Sequence, residues 1–244
     1  MPNGDVAART LLQLPRDLEP DFSEFKEILS ARVDSGGIGG DAFRLLARFG
    51  HLVYTQLAQL SIVARGDRTV LYTRHILDSL NPIDILLPPP PSALDIGSGG
   101  GFPGIPLAII WPQARITVLE SREKKAGFLE RAVRELGLSN VTVVCARLEE
   151  FGRSWTAEPH CSVFVRALGN LPEILRSAQC VAAPGAMWVY FIGAAEPEWS
   201  FLELGPMANG ASIAPGAFGG RLAIGYFPPG PPTRPRRTEA GMPS

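Results

Sequence analysis

A glycine-rich stretch carries the pattern with the clearest chemical meaning in this chain. The apolar run 92–96 leads into Gly97-Ser98-Gly99-Gly100-Gly101-Phe102-Pro103-Gly104, after which an apolar segment resumes and ends near Trp111. This order predicts a strand, a tight turn and a helix. Glycine lets a ligand approach the backbone, and the following helix points its N-terminal amides at whatever lies over the turn. An ordinary strand-to-helix turn is the alternative interpretation.

The acid Asp95, at the end of the predicted strand, separates two kinds of nucleotide ligand. A dinucleotide fingerprint counted from Gly97 fails at Phe102, and one counted from Gly99 fits only if the strand ends too early. A buried carboxylate is costly unless something solvates or pairs with it. A cationic ligand would pair with Asp95, whereas a pyrophosphate would be repelled. The stretch therefore favours S-adenosylmethionine, which carries a sulfonium and an ammonium and no phosphate.

Charged residues also lie at the ends of the next predicted strands. Glu120 lies 19 positions beyond Gly101, near the spacing at which an acid reaches ribose hydroxyls, although a solvated loop carboxylate is the alternative. Glu149 can hydrogen-bond an adenine amine, or its loop can do so through backbone groups. Alternatively, Glu149 and Glu150 begin a helix turn that faces water. Arg166 ends the fourth predicted strand, where it could pair with Asp95 or Glu120, hold a nucleic-acid phosphate, or form a purely structural ion pair.

A third candidate group lies before the glycine turn, in Arg74-His75-Ile76-Leu77-Asp78-Ser79. On a helix, Arg74 and Asp78 would form an i, i+4 pair, and His75 and Ser79 would share a neighbouring face. A lone histidine is more often structural than catalytic. The chain offers no nucleophile-elbow serine, so the sequence predicts no catalytic triad.

Composition limits the function classes. The 244 residues can bury one good core, and 45% hydrophobic with 19% charged residues is typical of a globular protein. The net charge of −1 predicts no overall basic field, so a nucleic-acid partner would have to meet a local patch. Three widely spaced cysteines, Cys145, Cys161 and Cys180, indicate neither a zinc site nor a disulfide framework, and we expect them to be small buried residues. We predict no metal.

Patterns of a targeting or membrane segment do not occur in the sequence. Residues 1–10 have no apolar core of a signal peptide, and no apolar run reaches about 18 residues. The sequence therefore predicts a cytoplasmic protein without membrane contact.

The first part of the chain is predicted to be helical. A loose arm over 1–20 precedes a helical part over 21–87, with helices near 21–33, from Asp41 onward and over 69–80. Asp41 is a candidate cap, and Gly50 predicts a kink or a new helix. The proline run 88–91 separates this helical part from the predicted strand at 92–96.

The remainder alternates between strands and helices. Predicted strands cover 92–96, 115–119, 141–145, 162–166 and 187–192, with helices over 122–136 and 171–181 between them. Two short runs, 211–214 and 222–227, predict a terminal hairpin. This order is typical of an α/β, Rossmann-like fold with a mostly parallel sheet and a terminal antiparallel hairpin. We expect the domain to cover 88–227 and a Pro/Arg-rich tail over 228–244 to be disordered.

The glycine stretch, with its continuation Phe102-Pro103-Gly104-Ile105-Pro106-Leu107, resembles that of the bacterial glucose-inhibited division protein B family, the small-subunit ribosomal RNA methyltransferases G. Further similar stretches occur in the family's order, and the similarity covers roughly residues 45–193. They are Arg74-His75-Ile76-Leu77-Asp78-Ser79, Glu120-Ser121 with Lys124-Lys125 and Phe128-Leu129, Arg147-Leu148-Glu149-Glu150, and Val165-Arg166-Ala167.

The resemblance implies a class I fold, S-adenosylmethionine as cofactor, and methylation of N7 of a guanine in 16S ribosomal RNA, free or within the small ribosomal subunit. By position it implies cofactor contacts at Gly97, Phe102, Leu148, Glu149 and Arg166. With the acids and glycines of the strand ends, the predicted cofactor set is Asp95, Gly97, Gly99, Phe102, Glu120, Leu148, Glu149 and Arg166. The predicted substrate set is Arg74, His75, Asp78, Ser79, Lys124, Lys125, Arg147 and Arg166.

The sequence departs from the family at two places. Gln59-Leu60-Ser61 replaces the usual Asn-Leu-Thr, and Ile192 replaces the lysine before the glycine that comes after the fifth strand. The segment after about 194 matches poorly. A catalytically weakened RNA- or nucleotide-binding homologue is therefore an alternative, and a dinucleotide-dependent oxidoreductase is a third. No catalytic base is predicted, because guanine N7 needs none, and we expect a monomer.

Overall fold

The computed structural model describes residues 15–34, 38–193, 201–208 and 210–229. Over these residues the strands form one seven-stranded sheet in the order β3-β2-β1-β4-β5-β7-β6. The first five strands are parallel, and β7 runs antiparallel to both β5 and β6. The predicted sheet with its terminal antiparallel hairpin is confirmed. The strands are β1 Ser92–Ile96, β2 Arg115–Glu120, β3 Val141–Cys145, β4 His160–Arg166, β5 Ala182–Ile192, β6 Ser212–Pro215 and β7 Arg221–Tyr226.

Helices precede the sheet and connect its parallel strands. The α-helices are α1 Glu19–Asp34, α2 Gly40–Gln56, α3 Gly104–Ile110, α4 Glu123–Leu136, α5 Leu148–Ser154 and α6 Leu171–Ala178. Short 3₁₀ segments cover Arg65–Val70, Asn81–Asp84 and Phe201–Ala208, and a π-helical turn covers Tyr72–Leu77.

The centre of the sheet determines where a ligand can lie. Strand β1 is buried along its whole length between β2 and β4, with Asp95 beside Val118 and Phe164. The chain order reverses at β1, so the loops that leave β1 and β4 diverge to opposite faces of the sheet. A crevice at the carboxyl ends of the strands is expected at such a reversal.

The helical part before the proline run packs on the same hydrophobic core as helices α3 and α4. Phe25, Phe49 and Tyr72 belong to one buried cluster with Ile105 and Leu129. The domain boundaries given by sequence stay a prediction, but the N-terminal helices and the sheet share their core.

Helix α2 corrects two local predictions. It runs through Gly50 without a break, and a Cβ at this position would lie 2.3 Å from the Tyr72 ring. Glycine at this position makes room for an aromatic side chain and does not mark a kink. The residue at the N-cap is Gly39, and the predicted cap Asp41 lies within the first turn.

The segment predicted as one amphipathic helix over 69–80 is irregular instead. Its π-helical turn begins at Tyr72, whose backbone N–H donates to Asp21 at 2.6 Å, while the N–H of Thr73 donates to the same carboxylate at 3.0 Å. Asp21 belongs to helix α1 and is buried. The N-terminal helix thus holds the start of the segment that carries Arg74 to Ser79.

The prediction that the three cysteines are buried was wrong. Cys145 is exposed, and Cys161 and Cys180 are half-buried. Cys145 is the last residue of β3, the strand at one edge of the sheet, where only one neighbouring strand covers it. Within the described ranges, no helix is both long enough and apolar enough to cross a membrane.

Candidate active site

The turn after β1 needs its glycines for two physical reasons. Gly97, Gly99 and Gly101 have φ angles of +69°, +58° and +96°, in the region that favours glycine. A Cβ at Gly97 would also lie 2.7 Å from the Leu168 side chain, and one at Gly100 would lie 1.9 Å from Ile62. At Gly97 and Gly100, neighbouring side chains therefore pack directly against the backbone of the turn.

Asp95 lies beneath this turn and organises it. The side chain is fully buried, and its Oδ2 accepts hydrogen bonds from the Ser98 hydroxyl and from the Gly104 backbone N–H, the latter at 2.9 Å. Burial raises the pKa of Asp95 to about 6, although both hydrogen bonds oppose the shift. Protein groups thus satisfy one oxygen without a ligand. A direct contact of Asp95 with the cofactor stays a prediction.

Glu120 joins the glycine turn to the next loop. It is 6% exposed, and its two oxygens accept from the backbone N–H groups of Gly99 at 2.9 Å and Arg122 at 2.8 Å. The alternative of a solvated loop carboxylate is therefore wrong. The carboxylate is held in one orientation at the end of β2, which is the placement expected of a ribose-binding acid.

A cleft of about 370 Å³ opens at the carboxyl ends of the parallel strands. We call it the cofactor cleft. It contains Gly97, Leu148 and Glu149 from the predicted cofactor set, together with Arg147 from the predicted substrate set. Its lining is Ile96, Gly97, Leu119, Ser121, Ala146, Arg147, Leu148, Glu149, Leu168, Gly169, Asn170, Glu173, Ile174 and Ser177.

The loop after β4 and the helix α6 that follows it are the largest part of this lining that sequence reasoning missed. Leu168, Gly169 and Asn170 all face the cleft, and Asn170 has a φ of +54°. The sequence would have allowed this prediction, because loops at the carboxyl ends of parallel strands line the crevice. The same rule that predicts a site role for Arg166 applies to the four residues after it.

Glu149 and Arg147 both stand at the start of helix α5. Arg147 is the N-cap residue, and Glu150 closes a capping box by accepting from the Arg147 backbone N–H at 3.4 Å. Glu149 lies in the first turn and is exposed toward the cleft. The two interpretations of this stretch are compatible, since Glu150 serves the helix and Glu149 faces the cleft.

Arg166 makes a second group, on the other side of the glycine turn. Its guanidinium pairs with Asp78 at 2.7 Å and donates to the Ser79 hydroxyl at 3.0 Å and to the backbone oxygens of His75 and Arg74 at 3.2 and 3.1 Å. It lies 5.9 Å from the centre of the Phe102 ring. We call this group the Arg166 cluster; its members are Arg74, His75, Asp78, Ser79, Phe102 and Arg166.

These contacts correct the predicted partners of Arg166. It pairs with neither Asp95 nor Glu120, because its side chain leaves β4 toward the 72–79 segment, which supplies a carboxylate and backbone carbonyls. Burial lowers the pKa of Arg166, and the neighbouring carboxylates of Asp78 and Asp95 oppose that shift. The guanidinium of Arg166 nevertheless stays protonated, because arginine is not deprotonated in proteins.

The predicted pairing of Arg74 also needs correction. The predicted i, i+4 pair with Asp78 is absent from the described contacts, and Arg74 pairs with Asp67 at 3.2 Å. Both oxygens of Asp78 are engaged elsewhere, one by Arg166 and the other by Asn81. Asp67 also contacts His75 Nε2 at 3.2 Å, and the His75 ring lies 5.4 Å from that of Phe102. Burial, reinforced by Arg166, lowers the pKa of His75 to about 4.

The remaining predicted substrate residues lie apart from both groups. Lys124 is exposed and Lys125 half-buried in the first turn of helix α4. The contacts of the described residues join neither lysine to the cofactor cleft or to the Arg166 cluster. No set of three or more metal-binding side chains converges in the described part of the chain. The basic residues of the tail, Arg234, Arg236 and Arg237, lie outside the described residues.

The cleft lies where parallel α/β sheets bind ligands, and comparison with known proteins supplies the family. A family model described as rRNA small subunit methyltransferase G matches residues 44–200. The chain belongs to this family. The methyltransferase G of Acidiphilium cryptum is 37% identical over 150 residues, which cover 61% of this chain and 67% of that protein. The methyltransferase G of Paracoccus denitrificans is 31% identical over 164 residues, or 64% of this chain and 83% of the relative.

The predicted family, fold and methyltransferase class are thereby confirmed. The chain spans less of some other relatives. It covers about 60% of the Pseudomonas putida methyltransferase G, at 35% identity. A solved structure of the O-methyltransferase TomG from Streptomyces achromogenes in complex with SAM matches 75% of this chain and 89% of its own, with a TM-score of 0.51 and 17% identity. A cofactor-bound protein from MTB matches with a TM-score of 0.55 and 22% identity, over 88% and 99% of the two chains. Both show the fold.

Proposed function

We propose that this chain transfers a methyl group from S-adenosylmethionine to N7 of a guanine in 16S ribosomal RNA. The observation that carries the proposal is the cofactor cleft, which opens at the carboxyl ends of β1 and β2 beside Gly97 in a chain of this family. The relatives' shared name supplies the class of RNA. The oxidoreductase alternative loses its support, because the family is one of methyltransferases.

The residues of the cleft suit the proposed cofactor. Gly97 offers bare backbone, and the apolar side chains of Ile96, Leu119 and Ile174 offer a surface for a flat adenine. Glu120 lies outside the described lining, between its members Leu119 and Ser121, and keeps acceptor capacity for hydroxyl groups, since a carboxylate has about four acceptor positions and two are used. Glu149 is exposed for an exocyclic amine. When bound, S-adenosylmethionine supplies the electrophilic methyl group.

The proposed chemistry asks little of acid–base groups. Guanine N7 is unprotonated at neutral pH and is already a nucleophile. His75 has a lowered pKa, is largely buried, and is engaged by Asp67. We therefore assign no catalytic residue, and propose that the chain acts by holding N7 in line with the methyl group in a site sheltered from water.

The proposed substrate would reach the site as an unstacked guanine, because the methyl donor lies within a crevice and a stacked base cannot enter it. Arg147 at the cleft mouth and Arg74, whose side chain is 61% exposed, are the candidates for phosphate contact. The tail over 228–244 could add a sequence-independent contact. A cytoplasmic location and a monomeric state are part of the same proposal.

The proposal is tested by methyl transfer in vitro. Purified protein and labelled S-adenosylmethionine are incubated with small ribosomal subunits, and separately with free 16S RNA, from cells in which this gene is deleted. Label should appear in 16S RNA at a guanine that becomes sensitive to chemical cleavage specific for N7-methylguanine. Absence of transfer with retained RNA binding would favour the weakened homologue, which the replacement at Ile192 suggests. Label at a carbon, hydroxyl or other nitrogen would refute the N7 assignment.

A further inference from the structure

A buried asparagine, Asn81, joins two parts of the chain that are far apart in sequence. Its side chain is fully buried, and its Oδ1 accepts from the backbone N–H groups of Phe218 at 2.8 Å and Gly220 at 3.3 Å. Its own backbone oxygen accepts from Ala217 at 3.0 Å. Asn81 therefore binds the turn over 216–220, which connects β6 to β7.

The other end of the same amide reaches the Arg166 cluster. Asn81 Nδ2 donates to Asp78 Oδ1 at 2.6 Å, and Asp78 Oδ2 pairs with Arg166 at 2.7 Å. The two oxygens of Asp78 are thus held from opposite sides. An amide suits this position because it accepts from the turn and donates to the carboxylate at once.

The turn fits closely against Asn81. A Cβ at Gly216 would lie 2.4 Å from the Asn81 side chain, and one at Gly220 would lie 2.0 Å from Asn81 Nδ2 and 2.7 Å from Asp78 Oδ1. The turn lies beyond residues 44–200, which match the family model. A contact of this chain's C-terminal hairpin therefore reaches the predicted site residue Asp78 through Asn81.

We propose that Asn81 is a positioning residue, through which the docked turn 216–220 fixes the Asp78 carboxylate and so holds Arg166 against Phe102 of the glycine turn. Phe102 is part of the turn that borders the cofactor cleft. The orientation of Asn81 should consequently affect affinity for the cofactor. This inference rests on the proposed function only for the identity of the cofactor.

The first test compares Asn81→Ala with Asn140→Ala. Asn140 is a matched control, because its Nδ2 makes hydrogen bonds to three backbone oxygens, those of Ala108, Trp111 and Ala114, at 3.0 to 3.1 Å. Both substitutions should lower stability, whereas only Asn81→Ala should weaken binding of S-adenosylmethionine, by roughly fivefold. Binding is measured by calorimetry on the full chain, and stability by urea unfolding.

The second test separates the effect of Asn81 on Asp78 from its binding of the turn 216–220. Asn81→Asp keeps an acceptor for Phe218 and Gly220 but replaces the donor toward Asp78 with a second carboxylate. This carboxylate faces Asp78, whose own charged neighbours are Arg166 and Arg74. Near pH 8 the affinity should fall by at least as much as in Asn81→Ala. At pH 5.5 the introduced carboxyl group is protonated more often and can donate to Asp78 again, so affinity relative to wild type at the same pH should recover.

The outcomes are distinct. Cofactor affinity equal to wild type in both Asn81 variants, or equal losses in Asn81→Ala and Asn140→Ala, would overturn the positioning role and leave Asn81 with a structural one. Loss in Asn81→Asp that is the same at both pH values would also overturn it. Failure of the wild-type chain to bind S-adenosylmethionine would be a different result, since it would refute the proposed function and this inference with it.

Discussion

The cofactor cleft and the Arg166 cluster lie on either side of one glycine turn, and they are built in opposite ways. In the cleft, Glu149 and Arg147 are exposed and the backbone at Gly97 is bare. In the cluster, the Arg166 side chain is only 13% exposed, with polar contacts from both ends of its guanidinium. The cleft has room for a small molecule, whereas the cluster is filled by its own side chains.

This difference separates two tasks among residues that belong to the same family motifs. Gly97, Leu148 and Glu149 line the cleft, so they can bind a ligand directly. Phe102 and Arg166 are absent from its described lining and contact each other instead. We therefore expect substitutions of exposed cleft side chains such as Glu149 to affect ligand affinity with little loss of stability, and substitutions in the cluster or of the strained Gly97 to affect both.

The largest effect is expected at Gly97. Gly97→Val should abolish binding of S-adenosylmethionine and also destabilise the fold by about 2 kcal/mol, because φ is +69° and the new side chain would meet Leu168. Gly137→Val is the matched control: Gly137 has a φ of +68° and open space around it, at the end of helix α4. Calorimetry measures the cofactor affinity of both variants, and urea unfolding measures their stability. Equal affinities in the two variants would remove Gly97 from the cleft.

The next largest effect concerns Arg166. Arg166→Ala leaves the carboxylate of Asp78 without its cation, and should cost roughly 3 kcal/mol of stability and lower methyl transfer at least tenfold. Adding Asp78→Asn removes the unpaired charge, so stability should recover in part while methyl transfer stays low. Cofactor binding and methyl transfer at wild-type levels in Arg166→Ala would contradict a functional role of the Arg166 cluster.

A smaller effect is expected at Glu120, where alanine and glutamine both remove the charge. Glu120→Ala removes the acceptor for Gly99 and Arg122, and should weaken cofactor binding by about tenfold, in keeping with a lost charged hydrogen bond of about 1.5–3 kcal/mol. Glu120→Gln keeps one oxygen acceptor and should lose less. Titration of each variant with S-adenosylmethionine measures the order, and equal affinities in wild type and both variants would contradict it.

The smallest effect on cofactor binding is expected from a pH dependence of stability that originates beneath the glycine turn. The pKa of Asp95 rises from an ordinary 3.8 to about 6 in the folded chain, so the folded state binds the proton more tightly. The stability that this gives is fully present below pH 3.8 and is lost as the pH rises through about 6. Urea unfolding between about pH 4 and pH 7.5 should show wild type losing stability relative to Asp95→Asn over this interval. Parallel curves for the two proteins would exclude Asp95 as the source.

The fold could be predicted well from the sequence because its signals are local. Strand β3 falls on its predicted residues, and Gly137 ends helix α4 with a positive φ, as a helix-terminating glycine does. The kink predicted at Gly50 was wrong because the reason for that glycine is tertiary. The residue that requires a glycine there, Tyr72, lies more than 20 positions away and packs across the helix.

The site could be predicted only in part, for a related reason. Sequence identified which residues face the carboxyl end of the sheet, as Gly97 and Glu149 do, because strand ends determine that edge. It could not identify Asp78 as the partner of Arg166. Asp78 lies far earlier in the chain, directly after a π-helical turn that no residue pattern predicted. The role of Asn81 was equally hidden, because its partners come from a turn more than 130 positions further along.

The most direct measurement is a map of N7-methylguanine in 16S ribosomal RNA from the host with and without this gene. Strand cleavage at N7-methylguanine should disappear at one guanine in the deletion strain. It should return when wild type or Gly137→Val is supplied, and it should stay absent with Gly97→Val at matched protein levels. An unchanged map in the deletion strain would contradict the account, as would full restoration by Gly97→Val.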